Sequence, residues 1–209
     1  MTTPSPQVRE LLNRHGQLFS AQLDIDLREN EPAGLWLWFC AVLLLSAPIS
    51  ADVAMRAARA LRDAGWQTPR ETAQSSWDDR VRTLNTAGYA RYDEKTATML
   101  GEVAEKTLDA YGGDLRGLRG AGQADAARLC RRLQDYKGIG PVGAGIFLRE
   151  AQLAWPEFHP FADARALKAA GRLGLPETAE GLAACVDRDS FPALLTALVR
   201  ADLAGETGG

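Results

Sequence analysis

The sequence has few cysteines and histidines, no long apolar run and no excess of positive charge. Its three cysteines, Cys40, Cys130 and Cys185, are far apart and odd in number, so they predict no disulfide framework and no zinc or iron–sulfur site. The longest apolar run, Leu35 to Leu45, is 11 residues and too short to cross a bilayer. The first residues lack the basic, apolar and small-residue order of a signal peptide. We therefore expect a cytoplasmic protein that makes no contact with a membrane.

Composition favours helices throughout the chain of 209 residues, because alanine and leucine dominate and long runs of Val, Ile or Thr are absent. The length suits one large domain or two small lobes. The net charge of −3 argues against a general nucleic-acid binder. Between residues 128 and 172, however, basic side chains outnumber acidic ones eight to four (basic: Arg128, Arg131, Arg132, Lys137, Arg149, Arg165, Lys168 and Arg172; acidic: Asp135, Glu150, Glu157 and Asp163).

Apolar periodicity and capping residues predict the order of the helices. A central buried helix is expected over residues 34–45, with Trp36, Trp38 and Phe39 in the core. Ser50 or Asp52, Thr68 and Ser76 are expected to cap the three helices that follow, and a long amphipathic helix is predicted over 93–111. Residues 22–32 are predicted to be a polar connector, and 204–209 to be disordered.

The most informative stretch is Gly138-Ile139-Gly140-Pro141, between predicted helices over 124–133 and 142–153. Two glycines two positions apart let the chain reverse within a few residues, and Pro141 suits the first turn of a helix. Ile139 can fill the angle between the helices. The N–H groups of Gly140, Val142 and Gly143 would then form an anion site that can hold a phosphate of a nucleic acid. The alternative is an ordinary turn between two helices.

Asp163 is the candidate catalytic residue. It follows an apolar loop that contains Trp155, Phe158, His159 and Phe161, and it begins a predicted helix that ends at Gly174. A helix N-cap is the commonest function of an aspartate in this position, so the residue alone leaves both interpretations open.

Together, the two segments resemble the helix-hairpin-helix DNA glycosylase superfamily, which includes endonuclease III and 3-methyladenine glycosylase II. The stretch Gly138-Ile139-Gly140-Pro141-Val142-Gly143-Ala144 is similar to the family hairpin. The helix from Asp163 to Arg172-Leu173-Gly174-Leu175 is similar to the family's Asp-led helix. The segment Leu43 to Pro48 and the segment Gly88 to Lys95 show weaker similarity to earlier parts of the family.

The resemblance implies an all-α, two-lobed fold with a DNA-binding cleft between the lobes. The central helical lobe would span residues 30–125, and residues 1–29 plus 126–209 would form the second lobe. That second lobe would carry the hairpin (about 124–153) and the catalytic-Asp helix (163–173). Duplex DNA with a damaged base would bind across the cleft, with the target nucleotide rotated into a pocket.

The same resemblance assigns functions to individual residues. Asp163 would be catalytic and Pro48 would lie in the region that wedges the strand. The base pocket would use Trp155, Phe158, His159 and Phe161, which may equally be read as packing of the loop. DNA contacts would come from the hairpin and from one arginine of the Asp-led helix (Lys137, Gly138, Ile139, Gly140, Val142, Gly143 and Arg165). No cofactor and no metal ligated by side chains is expected, and the resemblance allows for a monovalent cation at the hairpin carbonyls, as in relatives.

Departures from the family narrow the expected activity. Val142 stands where bifunctional members carry the lysine that forms a Schiff base, so we expect no amine-based strand cleavage. Because Cys185 stands alone, no iron–sulfur cluster is expected. Pro48 replaces a polar residue, and Ala164 and Arg165 replace a Thr-His pair.

These features predict a monomeric, nucleoid-associated, monofunctional glycosylase of base excision repair, with an alkylated base as one candidate substrate. The alternatives are a non-catalytic protein of the same type that binds DNA or senses damage, and an unrelated helical interaction protein whose hairpin is only a turn.

Overall fold

The computed structural model describes residues 3–207, and the described chain is all-α. Four short 3-10 turns join the α-helices at residues 21–23, 27–29, 156–158 and 188–190. The α-helices are α1 (Pro6–His15), α2 (Pro32–Leu45), α3 (Ala51–Asp63), α4 (Pro69–Gln74), α5 (Trp77–Thr86), α6 (Asp93–Tyr111), α7 (Gly117–Gly122), α8 (Ala126–Gln134), α9 (Pro141–Ala151), α10 (Ala164–Arg172), α11 (Ala179–Ala183) and α12 (Phe191–Leu203).

Side-chain caps fix where several helices begin. Ser50, Thr68 and Ser76 each accept a hydrogen bond from the backbone N–H three residues later, at the start of α3, α4 and α5. These caps confirm the helix starts that the sequence predicts, because a hydroxyl oxygen satisfies an N–H group that has no partner within the first helical turn.

Helix α2 is the centre of the larger hydrophobic core. Its side chains from Leu35 to Leu44 are buried on every face, which is expected for a helix that is apolar all round. The indole N–H of Trp36 donates to Thr72 Oγ1, and that of Trp38 donates to the Phe147 carbonyl, each at 3.1 Å. The predicted core position of these tryptophans is therefore confirmed.

The hydrophobic residues form two clusters. The larger one runs from Phe19 to Phe158 and contains α2, α3 and α5 to α9, whereas the smaller one joins α1 with α10, α11 and α12. The α8 and α9 helices thus pack with the larger cluster. The core around α2 also contains Leu129, Leu133, Ile139 and Phe147, and the predicted lobe boundary at residues 125/126 stays a prediction.

Two segments differ from the predictions. The connector over residues 22–32 buries Leu23, Ile25 and Leu27 in the larger core, so it is not simply polar. Residues 204–207, predicted to be disordered, pack against α1, where the Glu206 carboxylate pairs with Arg14 at 2.9 Å and His15 at 3.0 Å. The predicted disorder of residues 208 and 209 lies outside the described residues. None of the helices within residues 3–207 is long and apolar enough to span a membrane.

Candidate functional site

The turn between α8 and α9 (residues 135–140) is held tightly against the larger core. Gly138 has φ +88°, and a Cβ added to it would lie 2.6 Å from Leu43 Cδ1 and 2.7 Å from Met99 Sδ. Both the left-handed backbone and the lack of space require glycine at this position. The next residue, Ile139, is buried in the same core. The turn is therefore fixed by packing.

The first turn of α9 leaves backbone donors open. Gly140 is the N-cap residue and makes no side-chain capping bond. Within residues 3–207, the N–H groups of Gly140, Val142 and Gly143 have no hydrogen-bond partner, and Pro141 has no N–H. Val142 is 71 % exposed. This helix end can accept an anion from solvent.

Lys137 lies beside this helix end, where its ammonium group pairs with Glu102 of α6 at 2.8 Å. Both side chains are exposed, so the pair is weak and can exchange for another anion. Along α8, Arg128, Arg131 and Arg132 line an open surface depression. Asp135 lines the same depression and pairs with Arg132 at 3.6 Å, and Lys137 already has a partner.

Asp163 is the N-cap of α10. Its Oδ1 accepts hydrogen bonds from the N–H groups of Arg165 at 3.1 Å and Ala166 at 3.3 Å. The side chain packs directly on α9, since a Cβ added to Gly145 would lie only 2.9 Å from Asp163 Cβ. Glycine at position 145 is what lets the carboxylate approach this helix.

The second carboxylate oxygen of Asp163 faces a buried arginine. Arg149 Nε on α9 lies 3.1 Å from Asp163 Oδ2, and the two side chains are 3 % and 11 % exposed. The distance is that of an ion pair, but the N–H bond is not aimed at the oxygen. Neither Nε nor Nη1 of Arg149 has a hydrogen-bond partner among the described residues, and the same is true of Asp163 Oδ2.

Arg149 is not among the site residues that the sequence predicts. A signal for it exists: Arg149 and Glu150 are the only charged residues in a helix made otherwise of glycine, alanine, proline and large apolar side chains. Charged side chains are rarely fully buried unless they are paired, so a charge in such a helix indicates a specific contact.

Asp163 and Arg149 lie in a cleft of about 110 Å³ whose walls are largely apolar. The lining residues come from the segment after α1, the end of α2, the loop before α3, the first residue of α3, and helices α9, α10 and α12. The lining residues are Phe19, Leu45, Ile49, Ala51, Val142, Ile146, Arg149, Asp163, Arg165, Val199 and Leu203. The cleft therefore joins Val142, Asp163 and Arg165, three of the residues singled out from the sequence, and Pro48 lies exposed beside Ile49 at its edge.

Arg165 is bound to α12. Its Nε donates to Asp202 Oδ2 at 2.8 Å, and Arg172 donates to the other oxygen of the same carboxylate at 2.6 Å. Partial burial acts to raise the pKa of Asp202, but the hydrogen bond from Arg165 and the two positive charges outweigh it and lower the pKa. Arg165 is half-exposed, and it would have to share or leave Asp202 to contact DNA.

Four residues predicted to line a base pocket lie elsewhere. Trp155 is fully buried and donates to Asn30 Oδ1 at 3.1 Å, and Phe158 packs against it. The backbone of Phe161 is bound by Gln152. His159 packs edge-on against Phe191, and burial, aided by the charge of Arg188, lowers its pKa. None of the four is among the residues that line this cleft, and His159 and Phe161 are half-buried, so their assignment to a base pocket stays a prediction.

No group of three or more His, Cys, Asp or Glu side chains within residues 3–207 is arranged to hold a metal ion. The predicted monovalent cation would bind to backbone carbonyls of the turn. Side-chain ligands have no bearing on such a site, so the cation stays a prediction.

Comparison with known proteins identifies no relative: no family model, no curated protein and no solved structure matches the chain. The resemblance to the helix-hairpin-helix glycosylases accordingly depends on sequence motifs, chiefly those of the turn and of the Asp163 helix.

Proposed function

We propose that the protein binds double-stranded DNA at the α8–α9 turn and removes a damaged base by hydrolysing its N-glycosidic bond, with Asp163 as the catalytic residue. The observation that supports this proposal is the cleft itself. It places the carboxylate of Asp163, among apolar walls, beside the exposed Val142 at the open end of α9.

Backbone N–H groups at the start of α9 would bind the DNA. The N–H groups of Gly140, Val142 and Gly143 lie at the positive end of the α9 dipole, where a phosphate oxygen is the preferred ligand. Lys137 would add a positive charge after exchanging Glu102 for the phosphate. Contacts of this kind position a duplex and carry no sequence information. The protein would then resemble a helix-hairpin-helix module in function.

The chemistry requires a water molecule and a carboxylate. As the bond between C1′ and the base nitrogen breaks, its electron pair leaves with the base, and positive charge builds on the sugar. The Asp163 carboxylate would stabilise that charge and take the proton from the water whose oxygen bonds to C1′. The base picks up a proton, and the products are free base and an abasic site. Val142 offers no amine, so the strand stays intact.

Arg149 supports a second candidate function. A guanidinium 3.1 Å from Asp163 Oδ2 offsets part of the negative field that an oxocarbenium-like sugar needs. A protein that holds DNA and senses damage without breaking the glycosidic bond would tolerate this pair. The second candidate is therefore a non-catalytic DNA-binding protein with the same cleft.

The variant Asp163→Asn separates the two candidates. Asparagine caps a helix about as well as aspartate, so the start of α10 is retained. The variant leaves the buried Arg149 without a counter-ion, which costs about 3–5 kcal/mol of folding stability, so unfolding curves must show that it is folded at the assay temperature. Asp125→Asn is the matched control, because Asp125 caps α8 through Arg128 N–H and does not line the cleft.

The assay presents a panel of duplexes, each with one damaged base, and reveals abasic sites with hot alkali. We expect the wild type and Asp125→Asn to release at least one base. Asp163→Asn should lose about 100-fold or more of the rate and still bind the duplex. Full activity of Asp163→Asn would refute the catalytic assignment. Binding without release of any base by the wild type would favour the second candidate, and no binding at all would leave an unrelated helical protein.

A further inference from the structure

Arg149 is a charged residue that lines the cleft, and the proposed hydrolysis step assigns no function to it. We propose that it is a specificity-determining residue that donates hydrogen bonds to a carbonyl oxygen of the base in the cleft. This inference rests on the proposed function, because it takes the ligand to be a base rotated out of duplex DNA.

The hydrogen bonding of Arg149 differs from that of most arginines that pair with carboxylates. Arg165 and Arg172 direct N–H bonds at Asp202, and Arg119 forms a two-bond fork with Glu157. Arg14 and Arg132 also pair with carboxylates without a directed hydrogen bond, but both are exposed, so water can satisfy their donors. Arg149 is more buried than any of these, yet its Nε and Nη1 donate to nothing among the described residues. An arginine that served only to join α9 to α10 would be expected to aim its donors at the carboxylate.

Buried donors without acceptors lose the hydrogen bonds that they make to water in the unfolded chain, and that loss destabilises the fold. The arrangement is understandable if a ligand supplies the acceptor. Because Arg149 lines the cleft, a molecule that enters between Phe19, Val142 and Val199 would lie beside this side chain, and a small shift of the guanidinium would bring its donors to the ligand.

The donors define the ligand. Among the groups at the edge of a neutral base, a guanidinium pairs best with a carbonyl oxygen, as arginine does with O6 of guanine, and it repels an amino group or a cationic ring. The apolar walls suit the faces of a flat ring. A neutral base with a carbonyl group at its edge, such as hypoxanthine or uracil formed by deamination, therefore fits better than a cationic alkylated base without a carbonyl group, such as 3-methyladenine.

Hypoxanthine and adenine provide a matched pair of ligands, because they differ chiefly in a carbonyl against an amino group at C6. Each is placed in the same duplex opposite an abasic analogue, so that no pairing partner favours either base. A third duplex carries the abasic analogue in both strands. Binding is measured by fluorescence anisotropy, and base release is followed separately.

We expect the wild type to bind the hypoxanthine duplex about tenfold or more tightly than the adenine duplex. Arg149→Lys keeps a positive charge near Asp163 and loses the planar fork, so the preference should fall severalfold while affinity for the abasic duplex is unchanged. The control is Arg80→Lys. Arg80 is also buried, but its guanidinium donates to the carbonyls of Ala97, Thr72 and Ser75, away from the cleft. This variant should keep the wild-type preference.

Each result either supports or overturns the inference that Arg149 selects the base. A wild type that binds DNA without preferring hypoxanthine overturns the inference and leaves the proposed function intact, and this holds even if Arg149→Lys does not fold. An equal loss of preference in Arg149→Lys and Arg80→Lys also overturns it, because instability would then explain both. A preference that depends on Arg149 without base release supports the inference and refutes hydrolysis. No binding of any duplex refutes both.

Discussion

At the scale of single residues, glycines determine how closely the site is assembled. The α9 helix carries Gly143 against Ser46 and Gly145 against Asp163, and an added Cβ would come within 2.5 Å and 2.9 Å of these two side chains. Real Cβ atoms do not approach other atoms so closely, so the missing side chains create the space that the carboxylate occupies. The reason for the small residues from Gly143 to Gly145 is therefore visible only in the side chains that pack against them.

Gly145→Ala is expected to push Asp163 away from α9 and to destabilise the fold by about 1–3 kcal/mol, the usual result of adding an atom to a packed contact. Chemical unfolding measures the change. Gly140→Ala is the control, because no atom lies within 4 Å of a Cβ there and its φ is negative, so we expect a loss below about 1 kcal/mol. Equal stability of Gly145→Ala and the wild type would show that the contact between Asp163 and α9 is loose.

At the scale of elements, the open end of α9 is the feature with the clearest physical consequence. A hydroxyl or carboxylate side chain caps seven of the described α-helices, among them the neighbours α8 and α10, whereas α9 begins at Gly140 without such a bond, as do α2, α6, α7 and α12. A side-chain cap there would occupy the N–H groups that an incoming phosphate needs. The glycine before Pro141 therefore keeps the helix end accessible.

Lys137 and Glu102 test whether this end binds DNA. Lys137→Met should weaken duplex binding and reduce the slope of log affinity against log salt by about 1, since one phosphate contact is lost. Glu102→Gln removes the competing carboxylate, 2.8 Å from Lys137, and should leave binding equal or tighter. Titrations at several salt concentrations measure both. Unchanged affinity and slope in Lys137→Met would place the DNA elsewhere.

At the scale of the whole molecule, one buried carboxylate joins the two hydrophobic cores. Glu150 of α9 accepts hydrogen bonds from the N–H groups of Phe19 and Ser20 at 2.9 Å and from the Thr196 hydroxyl of α12 at 3.1 Å. Phe19 belongs to the larger core, and Thr196 lies on a helix of the smaller one. The segment after α1 is thereby held against the cleft, where Phe19 forms part of the wall.

Glu150→Ala should destabilise the protein by about 2–4 kcal/mol, because two backbone N–H groups and a hydroxyl are left buried without an acceptor. Thr196→Val is the comparison: it removes one donor and keeps the carboxylate bound to both N–H groups, so its loss should be near 1 kcal/mol. Thermal or chemical unfolding gives both values. Similar small losses in the two variants would mean that water replaces Glu150 and that the cores are joined mainly by apolar contacts.

The sequence by itself determined the helical class, most helix boundaries and the cap at Asp163, because periodicity and capping depend on residues within one or two turns of each other. It also singled out the turn at Gly138 to Pro141, since glycine and proline act on their own backbone. It did not determine that Trp155 and Phe158 are buried in the larger core, which depends on neighbours far along the chain.

Only the tertiary structure decided that Arg149 faces Asp163. The two residues lie on different helices, and their approach depends on Gly145, whose missing side chain has no meaning until α10 is packed against it. Local patterns determine where helices begin and which face is apolar. Packing between helices determines which residue pairs with a buried charge. Such a charge is stable only where a specific partner from another element reaches it.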